Sequence, residues 1–484
     1  MASIEFYSHG KLHRINARTQ EQFQSSRSSR SAKARAASIA PKALNALHLQ
    51  AERVAPLLHS VSESTTLVSI PKGDGPVVIP TATLMLGGAT KAEVKKIKSE
   101  FGLEVAEEGL EGKVLLRAPE AGEEGAKIAA AAAKKAYESG NFRAAHPNFL
   151  RVFQHIERSA PGASAPGLSP MWNHTNDGNP GVVGADVATL AAWTITKGHA
   201  DVRVAVLDEG VDAAHPALSA AVVADKDFVD GHDTSVPDGN DAHGTACAGI
   251  VLSRDSSKPG LAPACSLVGV RIAKGDGLGG WVFDDFKTAD AIDWAWKTGK
   301  ADVLSNSWGG GPPVDSITNA FERARTKGRG GKGSVIVAAT GNRDVQGVDY
   351  PARLENVLAV GASNPWDERK SKTTADGETR WGSNYGPEID LLAPGVRIAT
   401  TDIRGASGYT AGNFVDWFNG TSSATPHVAA AAALLITVNP KLTEQQVRGI
   451  LTASAFRLSA TGKWDKFVGW GRLDVFQALR LARR

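Results

Sequence analysis

The chain has 484 residues, of which 42% are hydrophobic, 22% charged and 6% aromatic, with a formal net charge of +3. That length and balance suit a globular protein of two or three domains, and so small a net charge argues against nucleic acid as the main partner. Cys247 and Cys265 are the only cysteines, too few for a disulfide framework, and no apolar stretch reads as long enough to cross a membrane.

Residues 1–65 form a basic tail rich in Ser and Arg, as in QSSRSSRSAKARAAS. Up to residue 60, Lys and Arg number nine against three Asp and Glu, which predicts a solvated, poorly ordered segment. A transit peptide has the same composition. The opening MASIEFYSHGKLHRINARTQ lacks an apolar signal-peptide core, so a cytoplasmic protein is expected over a secreted one.

Residues 66–155 predict a small α+β unit. VVIPTATLML alternates and is β-branched, as strands are. TKAEVKKIKSEFG carries Val94, Ile97 and Phe101 at helical spacing and ends on Gly102. LEVAEEG and KVLLRAP predict two more strands, and GAKIAAAAAKKAYESG a second helix closed by Gly140. Strand, helix, two strands, helix is a ferredoxin-like arrangement. Residues 156–179, which include SAPGASAPGLSP, have the composition of a linker.

From 180 to 484 apolar strands alternate with helices. DVRVAVLDEG has a continuous apolar centre from Val204 to Leu207. FDDFKTADAIDWAWKTG puts Phe286, Ala289, Ile292 and Trp296 on one side of a helix. ADVLSNSWGGG, GSVIVAATGN and NVLAVGAS are apolar strands ending in glycine-bearing loops. The pattern predicts an α/β domain with a mostly parallel central sheet, covered on both faces. Ligands of such sheets bind beyond the carboxyl ends of the strands.

Three residues of chemical interest lie at those ends. Asp208 closes a strand, His243 opens a small-residue helix in DAHGTACAGI, and Ser422 stands at a helix mouth in NGTSSATPHVAAAAALL. Taken singly, such residues turn a chain, sit at a surface or cap a helix. They come in the order Asp, His, Ser, within DEGVDAAHPAL, HGTACAGIV, NSWGGG, VAATGN, DLLAPGV and NGTSSATPHVA. On these motifs, residues 180 to about 476 closely resemble the subtilase (subtilisin-like, peptidase S8) family of serine endopeptidases, for which that chain order is known.

The resemblance implies a subtilisin-like three-layer domain and hydrolysis of peptide bonds through an acyl-enzyme. His243 then serves as the base for Ser422, Asp208 orients the imidazole, and Asn342 with the Ser422 N–H holds the oxyanion. Ser307, Trp308 and Gly309 match the strand that pairs with an extended substrate. Ala338, Ala339 and Thr340 match the lining of the primary specificity pocket, with Trp308 narrowing it or walling its neighbour. The 66–155 unit resembles an inhibitory propeptide, an intramolecular inhibitor whose final segment is AHPNFL, with self-cleavage between Phe149 and Pro170. Polypeptide substrates are the implied partners, with neither nucleic acid nor membrane, and the oligomeric state stays open. No cofactor is required. Ca2+ enters only as a structural ion, Asp390 resembling one weak-site position, and no metal ligand is assigned.

Some residues depart from the pattern or stay outside it. Glu209 stands where the family has a small hydroxyl residue, and is expected to point to solvent. Cys247 reads as a buried, inert thiol; the sharper alternative is that its modification displaces His243. A Cys247–Cys265 disulfide is left open by sequence. His427 reads as structural. Two other functions fit the same motifs: a catalytically silent subtilase-like binding protein, and a processing peptidase dedicated to one protein substrate.

Overall fold

The structure is a computed structural model that describes residues 2–8, 10–19, 67–68, 77–154, 168–275 and 280–483. The chain divides into two compact units. Met1–Gln154, Gly275–Asp290 and Gly311–Asn319 form one; His155–Lys274, Ala291–Gly310 and Ala320–Arg484 form the other.

In the first unit, β1 (Ala2–Ser8) and β2 (Lys11–Thr19) make an antiparallel hairpin, and β3 (Leu67–Val68) pairs with β2. Ile4 and Phe6 share one face of β1 and are buried, the Phe6 ring lying 5.0 Å from that of Phe149. The chain therefore opens on ordered strands, not on the irregular tail predicted for 1–65. A composition averaged over 65 residues hides the period-two pattern of its first nineteen. Residues 20–65 of that predicted tail lie outside the described residues.

Next come β4 (Val77–Gly87), α1 (Lys91–Glu100), β5 (Glu104–Glu108), β6 (Val114–Arg117), α2 (Gly122–Glu138) and β7 (Ala144–Gln154). Their antiparallel order, β7-β4-β6-β5, is that of a ferredoxin-like sheet. Thr90 and Glu93 close a capping box at the start of α1. Ala126, Ala129, Ala130 and Ala133 repeat along one buried stripe of α2, small enough to let the helix lie close. The free edge of β7 takes a further strand from later in the chain, Gly280–Asp284, running from Gly280↔Gln154 to Asp284↔Leu150. A buried bidentate ion pair joins the two segments: Arg151 Nε to Asp285 Oδ1 at 2.6 Å, and Nη2 to Oδ2 at 2.9 Å.

The second unit is built on seven parallel strands. In chain order its elements are α3 (Thr189–Trp193), β8 (Arg203–Asp208), β9 (Val222–Asp227), α4 (His243–Leu252), β10 (Ser266–Arg271), α5 (Asp285–Lys297) and β11 (Val303–Asn306). Then follow α6 (Asp315–Gly331), β12 (Val335–Ala339), β13 (Leu358–Ser363), β14 (Leu391–Pro394) and the hairpin β15 (Ile398–Thr401) with β16 (Phe414–Phe418). Helices α7 (Thr421–Val438), α8 (Glu444–Ser454) and α9 (Val475–Ala482) complete the unit. The first turns of α5 and α6 count with the first unit.

The sheet order is β14-β13-β12-β11-β8-β10-β9. On one side of β8 the chain goes out to β9 and back to β10; it then crosses to the other side and runs outward from β11 to β14, so the direction switches at β8, where such sheets open a crevice past the carboxyl end. Asp208 is the last residue of that strand. Buried α4 and α7 pack on each other and on the sheet. By length and composition α7 is long and apolar enough to cross a membrane, which the sequence reading did not expect, but 89% of it is buried inside the protein. It is the central core helix.

The predicted linker 156–179 is only partly of that kind. Residues 155–167 lie outside the described residues, but within 168–179 Trp172, Asn173, His174 and Asn176 are buried. Trp172 is buried and donates from Nε1 to the carbonyl of Val396 at 2.9 Å.

Candidate active site

Asp208 ends β8 and His243 begins α4. Gly244 lets the two meet. A Cβ on it would collide with the Gly210 carbonyl and come within 2.8 Å of the Asp208 Cβ. His243 Nδ1 lies 2.9 Å from Asp208 Oδ1. An ionised carboxylate only accepts, so Nδ1 carries the proton and Nε2 of the neutral ring is left as acceptor. The N–H of Glu209 donates to the same Oδ1 at 2.9 Å. Phe418 sets its ring edge-on to the imidazole, 5.2 Å between centroids.

Burial opposes charge on His243, but the Asp208 carboxylate outweighs it and holds the imidazole well above its ordinary pKa. Asp208 is itself pushed up by complete burial, against the pull of His243. Burial also pushes the Cys247 thiol up. Cys247 adds to the pull of Asp208 on the imidazole.

Ser422 is the second residue of α7. The residue before the helix, Gly420, has φ 120°, a conformation that residues with a Cβ rarely adopt. Position at the first turn leaves the Ser422 N–H without an intrahelical acceptor. Four residues on, Pro426 has no N–H to give the Ser422 carbonyl. Ser307 Oγ donates to that carbonyl instead, at 2.9 Å, and Cys247 Sγ approaches it at 3.6 Å. In return the Ser422 hydroxyl donates to the Ser307 carbonyl at 3.2 Å. Cys247 Sγ is also 3.7 Å from His243 Nδ1, so the thiol lies between the imidazole and the Ser422 main chain. The ligand atoms of Asp208, His243 and Cys247 all fall within 4.8 Å of one another.

Asn342 stands beside this group. Its Oδ1 accepts from the Thr421 N–H at 2.8 Å and from Thr421 Oγ1 at 2.9 Å. A backbone N–H can only donate, so the amide oxygen must face Thr421 and the NH₂ must face away. The side chain is half-buried, and its donor is aimed by the residue next to Ser422.

The remaining predicted residues are buried or half-buried. Trp308 is buried, its indole stacked 6.3 Å from Phe321 of α6, so packing takes up the bulk that was expected to narrow a pocket. Ser307 spends its side chain on Ser422, and Gly309 is half-buried. Ala338, Ala339 and Thr340 are buried at the end of β12.

One expectation is corrected, and one alternative left open by the sequence is closed. Glu209 points inward, 3% exposed, and Oε1 accepts the main-chain N–H of His243 at 2.6 Å. Asp390 Oδ2 accepts from the Ala359 N–H at 2.8 Å, which ties a strand edge. Cys247 and Cys265 are both free thiols. His427 is buried neutral, its pKa pushed down by burial to about 4. Its Nδ1 donates to Ser423 O at 2.8 Å and its Nε2 accepts from Asn173 at 2.9 Å, as a structural residue would. Thr421, Phe418 and the strand Gly280–Asp284 escaped the sequence reading. The Trp-Val-Phe alternation in that strand was the available signal.

A model of the subtilase family, peptidase S8, matches residues 199–471. The chain belongs to the subtilase family. Among subtilases, the thermophilic serine proteinase of Bacillus sp. (strain AK1) is 36% identical over 291 residues, 60% of this chain and 64% of that protein. The chain thus spans just under two thirds of that relative. Thermitase of Thermoactinomyces vulgaris is 33% identical over 293 residues, 60% of this chain and 92% of that protein. In fold, the chain is similar to fervidolysin from Fervidobacterium pennivorans, a keratinolytic enzyme related to subtilisin. The TM-score is 0.62 at 22% identity, covering 85% of this chain and 62% of that one. The α/β architecture is that of a subtilisin.

Proposed function

We propose that this subtilase is a serine endopeptidase acting on extended polypeptide segments. The observation that carries the proposal is the Asp208–His243 pair, 2.9 Å apart at the end of β8, with Ser422 at a helix mouth beside it. In the reaction the Ser422 hydroxyl leaves the Ser307 carbonyl and gives its proton to His243 Nε2 as Oγ bonds to the scissile carbonyl carbon. The imidazolium, stabilised by Asp208, returns that proton to the leaving amine, and the C–N bond breaks. Water then cleaves the ester by the same steps. The Asn342 NH₂ and the Ser422 N–H hold the oxyanion in both tetrahedral intermediates. None of this needs a metal or cofactor.

We further propose that the first unit is an intramolecular inhibitor. Its support is the pairing of β7 with Gly280–Asp284, in which an edge strand from the later chain takes an extended partner as it would a peptide. Self-cleavage falls between Phe149 and Pro170, and beyond Gln154, because β7 is paired along both edges up to Val152 and along one edge up to Gln154.

Peptide-library digestion tests the proposal, with new termini mapped by mass spectrometry for wild type and Ser422→Ala. Cleavage by wild type alone is the expected result. No cleavage by a matured wild type contradicts it. A silent binding protein gains from one observation, the Ser422 hydroxyl held by Ser307, and the same digest separates the two. Casein hydrolysis would argue against dedication to a single substrate.

A further inference from the structure

Position 209 carries more than the departure from a small hydroxyl residue suggests. Its main-chain N–H holds Asp208 Oδ1, the oxygen that also takes the His243 proton. Its side chain reaches across to the first residue of α4 and accepts the His243 N–H at 2.6 Å. One residue therefore grips both members of the pair. Helix α4 needs such a partner, because Ala242 before it offers no side-chain cap. A carboxylate at that end is also favoured by the helix dipole. Serine or threonine on the same backbone is two carbons shorter and does not span the gap that Glu209 closes.

We propose that Glu209 is a positioning residue, a cap supplied from the residue after β8 that fixes the catalytic histidine's main chain over its aspartate. This inference rests on the peptidase reading, in which His243 is the base. Charge is the second part of the role. A carboxylate gripping the His243 main chain favours the imidazolium, in addition to Asp208. The other titratable group recorded against the ring is Cys247, which pulls the same way.

Glu209→Gln keeps an acceptor of the same reach and removes the charge, whereas Glu209→Ala removes both. Glu209→Ala is expected to lose kcat on the order of 10²-fold, as for a catalytic group displaced by about 1 Å, with KM little changed. Glu209→Gln is expected to recover most of that loss on the alkaline plateau, with the acid limb of its pH profile moved to lower pH. Wild-type kcat and pH profile in Glu209→Ala would overturn the inference. So would a folded Glu209→Gln with an unmoved acid limb, which remains decisive if the alanine variant fails to fold. The His243 ring titration, followed by NMR in wild type and Glu209→Gln, gives the same answer without turnover. Failure of the peptidase reading is thereby kept apart: an inactive wild type contradicts that reading, and an unmoved titration contradicts this one.

Discussion

His243 sits between two opposed influences, burial that disfavours its charge and an aspartate that favours it, and the aspartate prevails. A base must be neutral to work. The acid limb of kcat/KM should therefore lie above the ordinary histidine value of about 6.5, with activity rising as pH climbs through it. A limb at or below that value would contradict the pairing. The same elevation has a sign in stability: the pair's contribution is full below the unfolded histidine's pKa and is lost as pH rises through the raised one. Asn342→Ala should lower kcat by about 10²–10³-fold at nearly constant KM, since its amide meets charge only in the intermediate. Steady-state kinetics would show a KM effect instead if the residue merely bound substrate. At Cys247, a bulky mercurial should inactivate the wild type and spare Cys247→Ala, because the thiol touches both the imidazole and the Ser422 carbonyl. Full activity after complete labelling would dispose of that.

Helix α4 and strand β8 show what an element contributes. Gly244 sits where a methyl group would strike the Gly210 carbonyl, so Gly244→Ala pushes the helix off the strand end. Overpacking of this kind costs about 1–3 kcal/mol, and thermal melting should show that loss together with a fall in kcat. Activity untouched by the substitution would mean that α4 need not sit so close. Such elements were legible to unequal degrees. Strands β8, β12 and β13 are short, largely apolar runs bounded by Gly-bearing loops, and α5 carries a helical stripe, so run length, flanking glycines and period reveal them. The hairpin β1–β2 was lost in the average composition of its region. Gly280–Asp284 is five residues long and owes its strand state to a partner about 130 positions earlier, which no local window contains. Glu209 was placed in solvent because the N–H that draws it inward is 34 residues away. The triad residues were legible because each stands inside a motif, whereas Thr421 and Phe418 act only through neighbours brought in by folding.

The molecule joins an ordered N-terminal unit to a subtilase unit in one chain. Arg151 and Asp285 are both fully buried, and removing one leaves the other charge without its partner. Arg151→Ala in a Ser422→Ala background should lower the melting temperature of the full-length chain, by the equivalent of about 3–5 kcal/mol. An unchanged Tm would show that this pair adds nothing to the first unit. Ser422→Ala alone should purify at full length while the wild type shortens; conversion of the variant in isolation would rule out self-cleavage. The central claim, that Asp208, His243 and Ser422 act as one nucleophilic system, is reached most directly by a fluorophosphonate probe read by intact mass and peptide mapping. A single adduct on Ser422, lost in His243→Ala and Ser422→Ala, is the predicted result. An unlabelled Ser422 in a folded, matured protein, or labelling that persists without His243, would contradict it.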